Sequence, residues 1–442
     1  MVGALLAWII IALVSPVFPS AHIWPEAVFL IAVAGVLIYL PERVWRLGQR
    51  RQDLIAWAAV LTGVVGGLIR MPFFKVANET TDDSATWMTV GQFVLLGVAL
   101  TIAPAVRPYL SGRVAAALVA IGICAATIQS GALVFGVPDP EIDVLYLLND
   151  GPRALLSGIN PYAMTFTDLA QTGLGHDDPT YNYDVYGYLP GMLLIGLPVL
   201  IVGDIRWVFL PMVPLAAFCL YRLTRAAGAT KLHAELMTLA FVSYPGLPWI
   251  MREAFVEPPI VLAFFGGLWA LICGRYLWPV VGAVVFLSIK QYTPLLLMPF
   301  WALGFSLRQT ALAVAVVGAI ALPFLVWSPS DFLWDTLTFL LHLPSRSDAT
   351  SFNGWLFDRY NSSLPSWLVV GPPLLGAGYA LWCLWRGADW RVVLRLTAGT
   401  YCVLFLFNKF AFANYYFLLQ AMLLASGGVS LPRSPSPVEP AR

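Results

Sequence analysis

The sequence predicts an all-α fold, a polytopic transmembrane helical bundle, on three observations. Of its 442 residues, 59% are apolar and 11% charged, against roughly 25% charged in an ordinary soluble domain. The apolar residues gather into runs near the ~20 needed to span a ~30 Å hydrocarbon core, where backbone groups must be bonded internally, as in helices. Short arginine-rich connections separate those runs, as they do on the cytoplasmic side of membrane proteins. A net charge of +1 gives nucleic acid no electrostatic footing. The five cysteines, Cys124, Cys219, Cys273, Cys383 and Cys402, sit in apolar runs without CxxC spacing, which suits packing better than disulfides or metal.

Orientation follows from the basic connections RVWRLGQRRQ, RPYLSGR, YRLTRAAGATK and RGADWRVVLR, all expected inside. The first run, GALLAWIIIALVSPVF, has no basic segment ahead of it and no small-residue cleavage site, so it is expected to be a retained helix. The first five helices are expected at about 3–18, 25–41, 54–72, 87–106 and 114–136, with the N-terminus inside. If Tyr188–Gly203 and Trp207–Leu223 both crossed, YRLTRAAGATK would be forced outside. The first of the two holds prolines and glycines and is short, so it is expected to lie at the outer interface.

An outer loop over 137–204 with juxtamembrane helices is therefore expected, with helix six at 206–224. Helix seven (233–250) leads out to the turn Arg252-Glu253-Ala254-Phe255-Val256-Glu257-Pro258, and helix eight (259–275) returns. The next apolar stretch must go out and back before Arg308, which requires two short helices broken near Lys290-Gln291-Tyr292. Helices at 309–328, 367–386, 395–412 and 414–428 follow, with a second outer loop over 329–366. The expected total is about 14 helices. Residues 1–113 form an N-terminal region of four helices, 114–430 the main transmembrane region, and 431–442 a disordered tail inside.

Asp143 leads the candidate chemistry, because it stands a few residues beyond a span at the opening of the longest polar interruption. An aspartate there also suits a helix N-cap. Asp139 and Asp150 fit turn or capping positions. Glu253 and Glu257 are expected on the same side, as secondary acids. Membrane-edge cations are costly unless paired or used, or unless they snorkel, which singles out Lys290 and Lys409. Gln291 and Tyr292 beside Lys290, and Asn408, Asn414, Tyr415 and Tyr416 around Lys409, make a polar cluster suited to a phosphate or sugar. Arg346, Arg359 and His342 add outer-side donors.

His176 stands beside Asp177 and Asp178, but adjacent aspartates do not readily share one ion with it, so no metal site is assigned. Tyr181, Tyr183, Tyr186 and Tyr188 suit an interfacial belt or a sugar-stacking surface. There is no P-loop, dinucleotide fingerprint or soluble nucleotide-sugar domain, so any donor must arrive through the membrane.

Five short motifs carry a resemblance. They are Asp143-Val144-Leu145-Tyr146 with Arg153-Ala154-Leu155-Leu156-Ser157-Gly158-Ile159-Asn160-Pro161-Tyr162; Tyr188-Leu189-Pro190-Gly191; Ser288-Ile289-Lys290-Gln291-Tyr292; Tyr360-Asn361-Ser362-Ser363-Leu364; and Ala413-Asn414-Tyr415-Tyr416. In this order the chain resembles the GT-C superfamily of integral-membrane glycosyltransferases, most closely glycosyltransferase family 87. It departs from that pattern by one extra residue before the Arg153 run, by Pro190-Gly191 in place of a double proline, and by four additional N-terminal helices.

The resemblance implies an inverting transfer of a hexose, mannose by analogy, from a polyprenyl-phosphate donor to a lipid-linked or cell-envelope glycan. The setting it implies is the outer face of a bacterial plasma membrane; the basic connections put both termini in the cytoplasm. Asp143 would be the base. Lys290, Gln291, Tyr292, Arg346, Arg359, Lys409 and His342 would meet the donor's phosphate or sugar. No cofactor is implied, and a divalent metal is left open. The alternative is a transporter or a lipid or glycan flippase. That predicts inverted repeats and helices broken at the midplane, where this sequence offers one broken pair near the outer face and no strong repeat.

Overall fold

A computed structural model describes residues 2–14, 25–40, 47–76, 82–140, 142–167 and 184–429. The expected tail, the connection at 77–81, and His176, Asp177, Asp178, Tyr181 and Tyr183 lie outside the described residues. Among the described residues every regular element is a helix, with no strand.

Five helices come first: α1 (Val2–Val14), α2 (Pro25–Tyr39), α3 (Gln49–Val76), α4 (Asp82–Thr101) and α5 (Gly112–Gly136). The Ser111 hydroxyl starts α5 by accepting the Val114 N–H. The described residues between α5 and Asp204 include the short helices α6 (Asp143–Leu156), α7 (Gly191–Gly196) and α8 (Val199–Val202). α6 is amphipathic, burying Val144, Leu145, Leu147, Leu148 and Gly151 while leaving Arg153 exposed.

Two expected continuous helices are broken. The run 206–224 divides into α9 (Ile205–Phe209) and α10 (Met212–Ala226), where Pro211 removes an N–H from the ladder. The run 233–250 divides into α11 (Lys231–Val242) and α12 (Leu247–Arg252) around Ser243-Tyr244-Pro245-Gly246, for the same reason. α13 (Glu257–Ile272) follows the strained turn at Ala254, whose φ of 56° is the left-handed region disfavoured for a residue with a Cβ.

Next come α14 (Leu277–Leu287) and α15 (Leu297–Ala302), with a 3₁₀ turn at Thr293–Leu296 between them, so the chain does break beside Lys290. α16 (Leu307–Trp327) opens on a capping box made by Ser306 and Gln309. Beyond it lie α17 (Pro329–Leu333), a π-helical turn (Trp334–Thr338), α18 (Phe339–His342) and α19 (Phe352–Tyr360). Three long helices close the described chain: α20 (Ser366–Trp385), α21 (Trp390–Phe407) and α22 (Ala413–Gly428).

α22 is the axis of the bundle, buried along nearly its whole length and packed by α1, α11, α13 and α21. α16 and α20 lie at the rim, with only 11% and 17% of their apolar windows covered by protein. Helices apolar all round and left uncovered are suited to lipid, not water. Among the described residues, seven helical stretches are long and apolar enough to cross a membrane: Gln49–Ile69, Ser84–Thr101, Gly112–Gly136, Ile205–Ala226, Leu307–Trp327, Ser366–Trp385 and Trp390–Phe407. The other apolar helices are shorter, α13 and α14 included. The chain thus has the character of a multi-pass membrane protein in a lipid bilayer.

The two ends of the bundle differ. At the end where α3 and α11 begin, His233 lies between Asp53 (3.1 Å) and the Gly427 carbonyl (2.9 Å), and Arg107 pairs with Glu235 at 2.8 Å. At the end where α5 and α12 finish, α9 packs against both and against α6 and α8. Asp143, Glu253, Glu257 and Lys290 all belong to this second end.

Candidate active site

Three sequence-distant turns meet here. Glu257 opens α13, Lys290 and Tyr292 occupy the break after α14, and Asn414 and Tyr415 open α22. The Glu257 Oε1 accepts three hydrogen bonds, each 3.0 Å, from Lys290 Nζ, Tyr292 OH and Asn414 Nδ2. Convergence on one oxygen leaves Glu257 Oε2 and Asn414 Oδ1 buried without a protein donor. The ammonium of Lys290 also lies 4.6, 5.4 and 5.9 Å from the ring centroids of Tyr415, Tyr292 and Tyr188. Aromatic faces attract a desolvated cation, so this is a three-tyrosine cage around a paired ammonium.

The fourth element of the cage, the Tyr188 strand of chain, is held by backbone. Leu189 N–H donates to the Ile289 carbonyl at 3.0 Å, and Gln291 Nε2 donates to the carbonyls of Gly187 (3.3 Å) and Thr336 (2.9 Å). Gly191 makes the approach possible, because a Cβ there would meet both the side chain and the carbonyl of Ser288. The position where a second proline was expected from the resemblance is therefore one where only glycine fits.

Asp143 is the first residue of α6, not its N-cap, which is Ile142, and its Oδ1 accepts the adjacent Val144 N–H at 2.8 Å rather than capping the helix. Burial raises its carboxyl above the ordinary value, against the opposing effects of that N–H and of the positive charge on Arg346. Glu253 is 5% exposed and pairs with Arg252 at 2.9 Å. Burial pushes Glu253 up to about 7, opposed by Arg252 and Arg206, and the negative charge of Asp143 adds to the rise. Tyr188 lies in the field of both Asp143 and Glu257, whose charges add to the rise that burial gives its hydroxyl.

The remaining expected donors lie further out. Arg346 forms a two-point pair with Asp348 at 2.9 and 2.8 Å and covers the Phe412 ring at 5.0 Å. Lys409 donates to the Leu341 carbonyl at 3.3 Å. His342 is exposed, bonded to the Thr338 carbonyl at 2.8 Å and stacked on Trp334. Arg359 is exposed at the end of α19. Lys290, Tyr292, Glu257, Asp143, Glu253 and Arg346 thus share one neighbourhood. Gln291 acts through backbone, while His342, Lys409 and Arg359 lie on its rim.

Sequence reasoning missed two residues. Arg206, read as the first residue of a span, is 1% exposed and bonds three backbone carbonyls. The signal was its charge at the start of an apolar run beside Asp204, an expensive placement unless used. Asp335, in the π-helical turn, accepts the Tyr186 N–H at 2.7 Å, and burial pushes it up to about 7. Turns of that kind recur at functional sites.

Among the described residues no group of three or more metal-ligating side chains is assembled. No protein-family model, curated protein or solved structure matches the chain.

Proposed function

We propose that this chain is an integral-membrane glycosyltransferase that moves a hexose, mannose by analogy with the family it resembles, from a polyprenyl-phosphate donor to a lipid-linked or cell-envelope glycan acceptor. The observation that carries the reading is the juxtaposition at one end of the bundle. The Asp143 carboxyl acts on Tyr188, one of the three tyrosines that wall the Lys290 cation, and itself lies within the field of Arg346. That arrangement supplies a proton acceptor, ring faces on which a sugar can stack, and positive charge for a departing phosphate.

In this reading Asp143 takes the proton from the acceptor hydroxyl as that oxygen attacks the anomeric carbon. The bond from that carbon to the phosphate oxygen breaks in the same displacement, inverting its configuration. General-base assistance of this kind contributes about 10²–10⁴-fold. The departing phosphate gains negative charge, which Arg346 and Lys290 would stabilise by turning donors toward it from their partners Asp348 and Glu257. The fold reading that goes with it has about 14 membrane-embedded helices, both termini in the cytoplasm and the site at the outer face. The short helices of residues 137–204 form its juxtamembrane cover.

The test is transfer in liposomes containing the purified protein, polyprenyl-phosphate mannose labelled in the sugar, and an extracted lipid acceptor pool. Labelled glycolipid supports the reading. Absence of product from every polyprenyl-linked sugar tried, together with movement of labelled donor between leaflets, would replace it with a flippase.

A further inference from the structure

We propose that Arg206 is the positioning residue that holds the Asp143 segment and the Glu253 segment in fixed register, so that the two carboxyls behave as one electrostatic unit. What that unit does rests on the glycosyltransferase reading, whereas the register itself does not.

The guanidinium is buried, 1% exposed, and its donors are spent on two distant stretches of chain. Nη1 bonds the Val137 carbonyl at 2.7 Å and the Arg252 carbonyl at 3.2 Å, and Nη2 bonds the Pro138 carbonyl at 2.7 Å. Nε and Nη2 also reach Asp204 Oδ2 at 2.8 and 2.6 Å, which neutralises the charge. Asp204 in turn caps α9 through the Arg206 N–H, so the side chain is aimed by the helix that carries it.

The two recipients are informative. Val137 and Pro138 lead out of α5 toward Asp143, and Arg252 ends α12 immediately before Glu253. The Arg252 carbonyl lies in a last helical turn, where carbonyls have no partner within the helix. Only a planar fork with five donors satisfies carbonyls from two segments and a carboxylate together. A lysine at 206 offers one nitrogen for the same acceptors.

Downstream of this clamp, the Asp143 charge acts on Tyr188 and Glu253 and is itself opposed by Arg346, while Arg252 and Arg206 act on Glu253. Loss of the clamp frees both segments at once, and the carboxyls then titrate independently.

The experiment reads Glu253 without any substrate. Carbodiimide-driven amidation of the full-length protein in proteoliposomes is followed across pH by mass spectrometry of the Glu253 peptide. The variants are wild type, Asp143→Asn, Arg206→Met, and Arg206→Met with Asp143→Asn. In the wild-type background Asp143→Asn shifts the Glu253 midpoint downward, because the like charge that helps to raise it is removed. In the Arg206→Met background that shift is lost. If the shift persists undiminished in Arg206→Met, Arg206 is a structural residue only and the proposal is wrong.

Should Arg206→Met fail to fold, Arg206→Lys is read in the same way, with a reduced shift expected and an unchanged one overturning the idea. A protein without transferase activity that still shows the lost coupling would refute the functional reading and leave the register intact.

Discussion

Replacing Glu257 by alanine removes the acceptor on which Lys290, Tyr292 and Asn414 converge. The ammonium keeps only the ring faces of Tyr188, Tyr292 and Tyr415, each worth about 0.5–2 kcal/mol to a cation. Those attractions exist in the wild type as well, so they offset none of the loss. Lys290 is 9% exposed, and water therefore cannot take over the lost bond. Removing one partner of a buried pair costs about 3–5 kcal/mol, because the survivor is left charged and desolvated. Glu257→Ala is expected to lose that much.

Lys290→Met alone is also destabilising, but Glu257→Ala with Lys290→Met leaves no uncompensated charge and recovers much of the loss. The cycle should therefore close with a coupling of about 2–3 kcal/mol. Equilibrium unfolding in mixed micelles titrated with a denaturing detergent, followed by helical circular dichroism, gives the four corners. A cost below about 1 kcal/mol for Glu257→Ala, or four corners that simply add, would refute the claim that these groups form one buried unit.

Two further outcomes follow from the same end of the bundle. Glu253 sits at about 7 when folded against an ordinary 4.5, so the folded state holds a proton that the unfolded chain releases. The sign is that stability falls as pH rises through about 4.5 to 7, by about 3 kcal/mol in all. Glu253→Gln should abolish that fall, and unfolding midpoints at pH 5 and pH 8 that drop equally in mutant and wild type would contradict it. Gly191→Ala forces a methyl against the side chain and carbonyl of Ser288. An overpacking cost of about 1–3 kcal/mol is expected, with loss of transfer as Tyr188 is pushed from Lys290. A variant as stable and as active as wild type would show that the approach of these two turns is not tight.

Much of the architecture is written locally and was legible. The helix expected at 114–136 is Gly112–Gly136, and that at 367–386 is Ser366–Trp385, because apolar runs bounded by Ser111 or by charges define their own ends. The break beside Lys290 followed from the need to return an arginine-rich connection to one side. The breaks at Pro211 and Pro245 were hidden, since apolar residues on both sides of a proline read as one run.

The site was legible as residue types and not as pairings. Glu257 and Lys290 were singled out as separate groups on one side. Their bond joins positions 33 residues apart, which no local pattern specifies. Tyr188 looked like a belt tyrosine because its role depends on the backbone bond from Leu189 to Ile289, a purely tertiary contact. Arg206 was absorbed into a span for the related reason that an apolar run does not reveal which charged neighbour turns inward.

The central claim is that Asp143 is the base of a sugar transfer, and one comparison tests it most directly. Transfer of label from polyprenyl-phosphate mannose to extracted acceptor lipid is measured for wild type and Asp143→Asn at equal amounts of folded protein. The account predicts that the wild type makes product and that the asparagine variant loses about 10²–10⁴-fold in rate. It also predicts that wild-type rate rises with pH through a midpoint above the ordinary carboxylate range, as burial of Asp143 requires. Equal product from both proteins would contradict it.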